Sequence, residues 1–193
     1  MSVRNKRLVV AVTGGSGLIY AKDLLESLQA LDIETHLVVS AGAKQVFPTE
    51  LSGDLKSFEA LADVVHKDAN LGASIASGSF RALGMVIVPC SAGTLAKVAM
   101  GLTDNLVSRA AHVTLKERRP LILLLREAPY SRPMLKNMLE SHDAGATILP
   151  LSPGFYNQPQ TIQELVAGIT SRTLDLLGID NSLAPRWKEN DDA

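Results

Sequence analysis

Residues 8–17 read LVVAVTGGSG, an unbroken aliphatic run that gives way to a glycine-rich turn. A run of this kind, apolar at every position, suits a strand buried on both faces. The next segment has a different period: Ala21, Leu24, Leu25, Leu28 and Leu31 fall on one face of a helix. A second aliphatic run, 35–39, closes the unit, so residues 8–39 have βαβ spacing. The rhythm recurs downstream. The run 85–88 ends in Pro89-Cys90-Ser91 and leads into a helix-like SAGTLAKVAM stopped by Gly101, and the run 121–125 leads into Arg126-Glu127-Ala128-Pro129. A helix is predicted over 131–144, ended by Gly145, then a strand over 147–149 and a closing helix over 161–177. Thr161 with Glu164 three residues on reads as a capping box, and Gly178 as the stop. Five aliphatic strands separated by helices predict one doubly wound α/β domain over 1–180, with a mostly parallel sheet and ligand groups on loops at the strands' carboxyl ends. Residues 181–193 read as a C-terminal tail that extends from the body, free to pack on a neighbouring subunit.

Composition narrows the function. At 193 residues the chain fits a single domain. Lys plus Arg number 19 against 20 Asp plus Glu, a net charge of -1 that argues against binding nucleic acid or a membrane surface by bulk charge. Hydrophobic content of 46% with only 4% aromatic points to an aliphatic core and leaves few stacking platforms for single strands. The apolar run 8–12 is too short for an export signal or a membrane span. A single Cys90 excludes an internal disulfide, and one cysteine with 4 histidines cannot supply a Cys-rich zinc site. A cytoplasmic protein without a metal is expected.

The candidate chemistry sits on the strand-end loops. In Thr13-Gly14-Gly15-Ser16-Gly17, backbone N–H groups and the positive end of the next helix can hold a phosphate, and Ser16 adds a hydroxyl. Position 20 is Tyr20 where a dinucleotide fingerprint needs a third glycine, no Gly-Lys-Ser/Thr is present, and position 18 is Leu18 where a hydrolase elbow needs glycine. The structural alternative is a tight turn that needs glycine for its backbone angles. The second strand ends at Ser40 rather than at an acid that would grip a ribose, which leaves room for a mononucleotide; alone, Ser40 reads as a helix cap. Ser91, Ala92, Gly93 and Thr94 can bind an anion or a flavin edge, or simply cap a helix at Ser91. Cys90 has no flanking His or Lys and is a poor nucleophile. Arg109, His112 and Lys116 share one helical face, as a solvated stripe or as a cationic lobe. Arg126 and Glu127 come directly after an entirely apolar strand at its carboxyl end, where substrate binding is favoured over a bridge across the rim. In the aromatic loop PGFYNQP (153–159), Tyr156 can hydrogen-bond a phosphate with Arg172 as counter-charge, the alternative being ordinary loop packing.

Together these segments resemble the flavin prenyltransferases, the UbiX-like family. The resemblance rests on the TGGSG loop, MVIVPCSAGT (85–94), NLVSRAA (105–111), LKERRP (115–120), REAP (126–129), PGFYNQPQ (153–160) and the terminal Pro185-Arg186-Trp187, and so spans nearly the whole chain. LKERRP and GFYNQPQ are the most specific. Gly15 departs from the alanine usual in the family's GASG loop, and the region 51–81 matches weakly. The resemblance implies a Rossmann-like flavoprotein fold and transfer of a dimethylallyl group from dimethylallyl phosphate to reduced FMN. The group is joined at N5 and C6 to build a fourth ring, and the prenylated FMN serves a UbiD-type decarboxylase. It implies that Gly14, Gly15, Ser16, Ser40, Ser91, Ala92, Gly93, Thr94 and Arg126 hold FMN and that Tyr156 and Arg172 hold the prenyl phosphate. Arg109, Lys116 and Glu127 would line the same pocket, Glu50 and Trp187 would complete it, and the pocket would lie between subunits of a homo-oligomer, a dodecamer.

The expected chemistry agrees with those residue types. Breaking an allylic C–O bond develops negative charge on the phosphate, which Arg109, Lys116 and Arg172 suit. The sequence has no DDxxD run, its only DD pair being Asp191-Asp192 in the tail, so a monophosphate handled by arginine and lysine without metal is expected. Ser16 is expected to orient the flavin N5 and relay its proton, and Glu127 to move a proton during ring closure. Two rivals share the fold or the ligand. A flavin-dependent peptidyl-cysteine decarboxylase would carry a PxMNxxMW-like clamp and a histidine after the first helix, whereas the nearest string here is PMLKNM (133–138). A non-catalytic FMN-binding module would need no cationic lobe.

Overall fold

A computed structural model describes residues 6–186. Six strands, β1 (Arg7–Val12), β2 (Glu34–Val39), β3 (Val64–His66), β4 (Met85–Cys90), β5 (Leu121–Leu125) and β6 (Thr147–Pro150), form one sheet in the order β3-β2-β1-β4-β5-β6. Every pairing is parallel. The chain winds outward from β1 to β3, then returns to place β4 on the other side of β1, so a crevice opens at the carboxyl ends of β1 and β4.

Successive residues of the central strands point to opposite faces, and both faces are covered. Leu8, Val10 and Val12 pack with α1 (Leu18–Ala30), α2 (Ala41–Glu50), α3 (Leu55–Glu59) and α7 (Ile162–Leu176). Val9, Ala11, Ile87, Leu121, Leu123 and Leu125 pack with α4 (Ala92–Met100), α5 (Leu106–Lys116) and α6 (Arg132–Asp143). Burial on two sides is why these strands read as continuous aliphatic runs rather than as alternations.

The sequence predicts five strands, and the sixth, β3, escapes it for a physical reason. It is 3 residues long, lies at the sheet edge, and leaves Val64 and Val65 exposed, so it needs neither an apolar run nor an alternating one. The predicted capping box is half formed: the Glu164 N–H donates to Thr161 Oγ1 at 3.1 Å, but the Glu164 carboxylate accepts from Gln160 N, one residue before the cap, at 2.6 Å. The stretch read as an extending tail begins as part of the body. Ser171 Oγ donates to Asn181 Oδ1 at 2.8 Å, and Arg186 pairs with Asp175 of α7 at 2.8 Å. Among the described residues no helix is long and apolar enough to cross a membrane.

Candidate active site

At the head of α1 the turn closes on Gly17, whose φ of 115° places it in the region open to glycine, and no side chain of the turn caps the helix. The cap comes from elsewhere. Glu50, the last residue of α2, accepts the N–H groups of Gly17 and Leu18 with Oε2, each at 2.8 Å. Because α2 starts at the carboxyl end of β2, where Ser40 caps it by accepting from Ala43 N at 3.2 Å, both of its ends lie at the same rim. The helix therefore runs across the rim instead of down the sheet. It does so at close quarters: a Cβ on Gly14 would meet the Gly42 backbone at 3.1 Å.

Glu50 also gathers the charged groups of the rim. Burial pushes its carboxyl up, but the Ser16 hydroxyl, the N–H groups of Leu18 and Gly17 and the charge of Arg126 together hold it below its ordinary value. Ser16 and the charge of Arg126 thus act on Glu50 at one rim, although the three come from the β1–α1 turn, the end of β5 and the end of α2. Two of the N–H groups that the sequence offers to a phosphate are engaged by this internal carboxylate.

The neighbouring loop is tied to the first by Thr13, which is 1% exposed. Its hydroxyl donates to Pro89 O and accepts from Ser91 N, both at 2.8 Å. Ser91 caps α4, accepting from Thr94 N at 3.3 Å and donating to Thr94 Oγ1 at 3.0 Å. Ala92 and Gly93 are exposed at the head of that helix, and a Cβ on Gly93 would meet nothing within 4 Å, so this helix start has room for an anion or a ring edge. A Cβ on Gly15 would lie 3.4 Å from Pro89 Cβ, an ordinary contact, so an alanine fits there. Cys90 is buried and its thiol is pushed up by that burial, which leaves it inert as a nucleophile. Glu127 is exposed beside Arg126, and its Oε1 accepts from Ala128 N at 3.2 Å.

Tyr156 and Arg172 come together in a second place. They line a cleft of about 620 Å3 between the β6–α7 loop, α7 and residues 184–186. Tyr156 is 83% exposed. Its loop is braced by Gln158 N donating to Phe155 O at 3.0 Å and by Asn157 Nδ2 donating to Pro185 O at 2.9 Å.

Two further expected site residues, Arg109 and Lys116, lie on α5. Its start is docked against Asp68, whose carbonyl accepts from Leu106 N at 2.8 Å and whose Oδ1 accepts from Val107 N at 3.1 Å. Arg109 sits half-buried in the next turn. Lys116, at the far end, pairs with Glu117 beside Gly78, while Arg119 donates to the carbonyls of Gly78 and Phe80 ahead of β4. Lys116 therefore lies at the amino-end rim, opposite Ser16 and Arg126, and does not meet them within one chain. Trp187 lies outside the described residues. The sequence places Thr13 in the first candidate loop but does not show that its hydroxyl ties that loop to Pro89 and Ser91, and it gives no sign of Gly42 or Asp68 as organisers of the site. Among the described residues no group of His, Cys, Asp and Glu is placed to hold a metal ion.

A parallel sheet with small hydroxyl-bearing residues and an arginine at its switch point defines a mononucleotide-binding α/β protein, and the flavoprotein family model matches residues 1–173. Over 185 residues the chain is 59% identical to the flavin prenyltransferase UbiX of Deinococcus radiodurans, a match that covers 96% of this chain and 95% of that protein. The chain belongs to the flavin prenyltransferase family. A crystal structure of a UbiX in complex with FMN and dimethylallyl pyrophosphate matches it with a TM-score of 0.93 at 44% identity, over 95% of this chain and 98% of that one. A dodecameric FMN-dependent UbiX-like decarboxylase from Escherichia coli O157:H7 matches with a TM-score of 0.91 at 42% identity, over 94% and 98%.

Proposed function

We propose that this protein is a flavin prenyltransferase, moving a dimethylallyl group from dimethylallyl phosphate to reduced FMN and handing prenylated FMN to a UbiD-type decarboxylase. The observation that carries the reading is the Glu50 carboxylate docked on the Gly17 and Leu18 N–H groups at the switch-point crevice, where Ser16 and the charge of Arg126 also act on it. The residues present fit a flavin mononucleotide. Open space beside Gly93, the exposed Gly14 and Ala92, and the hydroxyls of Ser40, Ser91 and Thr94 offer a cradle, with Gly15 and Arg126 at its edge. Reduced FMN, when bound, supplies the nucleophilic N5 and C6 to which the dimethylallyl group is joined.

The chain's own groups have definable parts. Glu50 is held below its ordinary value, in part by the Ser16 hydroxyl; with that hydroxyl's proton turned to the carboxylate, the Ser16 lone pairs would be left to accept a hydrogen bond or a proton. A proton taken up at Ser16 Oγ has a carboxylate behind it to receive the hydroxyl's own. Glu127, at the exposed end of β5, is a second proton carrier on the same rim. Tyr156 and Arg172 would hold the prenyl phosphate and meet the charge that builds on it as the C–O bond breaks. Arg109 and Lys116 would serve a pocket shared between copies of the chain, which accounts for Lys116 standing at the opposite rim of its own sheet, and Trp187 would close that pocket. This reading makes the protein a homo-oligomer, a dodecamer by its family, working in the cytoplasm.

Incubation of the protein with reduced FMN and dimethylallyl phosphate, with no added metal, should yield a flavin heavier by one C5 unit by mass spectrometry. Ser16→Ala should lower the yield by a factor on the order of 100, the scale of one positioned proton-transfer group. No adduct from folded, FMN-loaded protein would reject the proposal in favour of a binding module, and loss of CO2 from a C-terminal cysteine peptide would favour the decarboxylase rival.

A further inference from the structure

One face of α7 carries two groups of opposite charge at adjacent turns, Arg172 and Asp175, and both line the cleft beside Tyr156. A second guanidinium, that of Arg186, lines the same cleft from the C-terminal segment. The two arginines are not equivalent. Arg186 is clamped by Asp175, with Nη2 donating to Oδ1 at 2.8 Å and Nη1 to Oδ2 at 3.3 Å. Asn181 Nδ2 donates to the same Oδ1 at 3.0 Å, which fixes the carboxylate toward the guanidinium. Arg172 has no such carboxylate among the described residues. The fork-to-fork geometry engages both terminal nitrogens of Arg186, and the Asp175 carboxylate offsets its charge locally.

We propose that Asp175 is a specificity-determining residue: by neutralising Arg186 it leaves Arg172 as the one uncompensated cation that the described residues of this chain bring to the cleft, and so shifts preference toward a prenyl monophosphate over a diphosphate. The inference rests on the assignment of this cleft to the prenyl phosphate. A diphosphate carries more negative charge and further oxygens, and a second unpaired guanidinium is what its terminal phosphate would need. The clamp sets a ratio of affinities and does not exclude the larger anion.

Asp175→Asn keeps the side-chain volume and an acceptor for Asn181 while removing the charge that cancels Arg186. In calorimetric titration of the FMN-loaded protein, inorganic pyrophosphate should tighten relative to inorganic phosphate by about tenfold, the scale of one added charge-assisted contact. The ratio of kcat/KM for dimethylallyl diphosphate over the monophosphate should rise in step. Asp175→Asn with Arg186→Gln should bring both ratios back to within about twofold of the parent, because the two residues act as a coupled pair. Arg186→Gln alone, which leaves the Asp175 charge facing the cleft, should weaken pyrophosphate more than phosphate and carries the test if Asp175→Asn does not fold. Unchanged ratios in the two single variants, or equal weakening of both anions in them, would overturn the proposal and reduce Asp175 to a brace for the chain terminus. The titrations need no turnover, so an enzyme that fails to prenylate FMN would count against the functional reading and leave this test intact.

Discussion

Glu50 shows what a single side chain can do that its own neighbourhood does not announce. Its acceptor contact with Gly17 spans 33 residues, and nothing in the sequence around it marks it as a helix cap. Ser16 and Arg126 were legible because each lies just past the end of an aliphatic run; Glu50 entered only through the family resemblance, since a cap supplied by another helix leaves no local signature. The glycines of the turn divide on the same physical grounds. Gly15 can carry a methyl group against Pro89, so Gly15→Ala should keep FMN affinity within about twofold and leave the unfolding midpoint nearly unchanged. Gly17 differs on two counts: its φ is 115°, and a Cβ would come within 2.9 Å of Leu151 Cδ1. Gly17→Ala should therefore cost about 1–3 kcal/mol in urea denaturation, the range for a side chain forced into that backbone region. A Gly17→Ala protein as stable as Gly15→Ala would contradict the described turn.

At the scale of elements, β3 is the part of the fold least visible in the sequence, and it leads directly into the docking of α5. β3 is short and exposed, yet it is fastened to β2 by more than backbone. His36 Nδ1 and His66 Nε2 lie 2.9 Å apart, and His36 Nε2 lies 2.9 Å from Glu34 Oε1, which also pairs with Arg7 of β1 at 3.1 Å. Just beyond β3, Asp68 receives the first N–H groups of α5, the helix that carries Arg109 and Lys116. Side-chain pairing across an edge has no apolar period to betray it, which is why composition and periodicity passed over this region. The His36–His66 contact can share one proton but not accommodate two, and burial together with the charge of His36 lowers the His66 pKa. A histidine depressed in the folded state favours unfolding once the unfolded chain can bind the proton. Its cost is therefore absent well above pH of about 6.5 and grows as pH falls below that value. His66→Gln should flatten the dependence of stability on pH in that acid range while leaving it unchanged near pH of about 8, as measured by urea denaturation. An unaltered acid slope would show that His66 does not titrate in this way.

For the molecule as a whole, the strand-end residues converge as a doubly wound sheet requires, but the other expected cations do not all face that rim. Lys116 stands at the amino ends of β4 and β5, and helix direction dictates this: α5 ends just before β5 begins, so its last turn is at the strand's entry, where no switch-point crevice exists. Sequence motifs place LKERRP in the family but cannot say which rim of which copy it serves. If the pocket lies between copies, Ser16 and Lys116 that act together belong to different chains, and two damaged chains can repair one another. Ser16→Ala and Lys116→Ala, each strongly impaired alone, should then recover about a quarter of parental prenylation per site when co-expressed in equal amounts, since random assembly gives roughly that share of pockets both intact residues. A mixture no more active than the two separate variants would require Ser16 and Lys116 to act from one chain. That outcome would conflict with a sheet that holds them at opposite ends, and the fault would lie in giving Lys116 a part in the reaction.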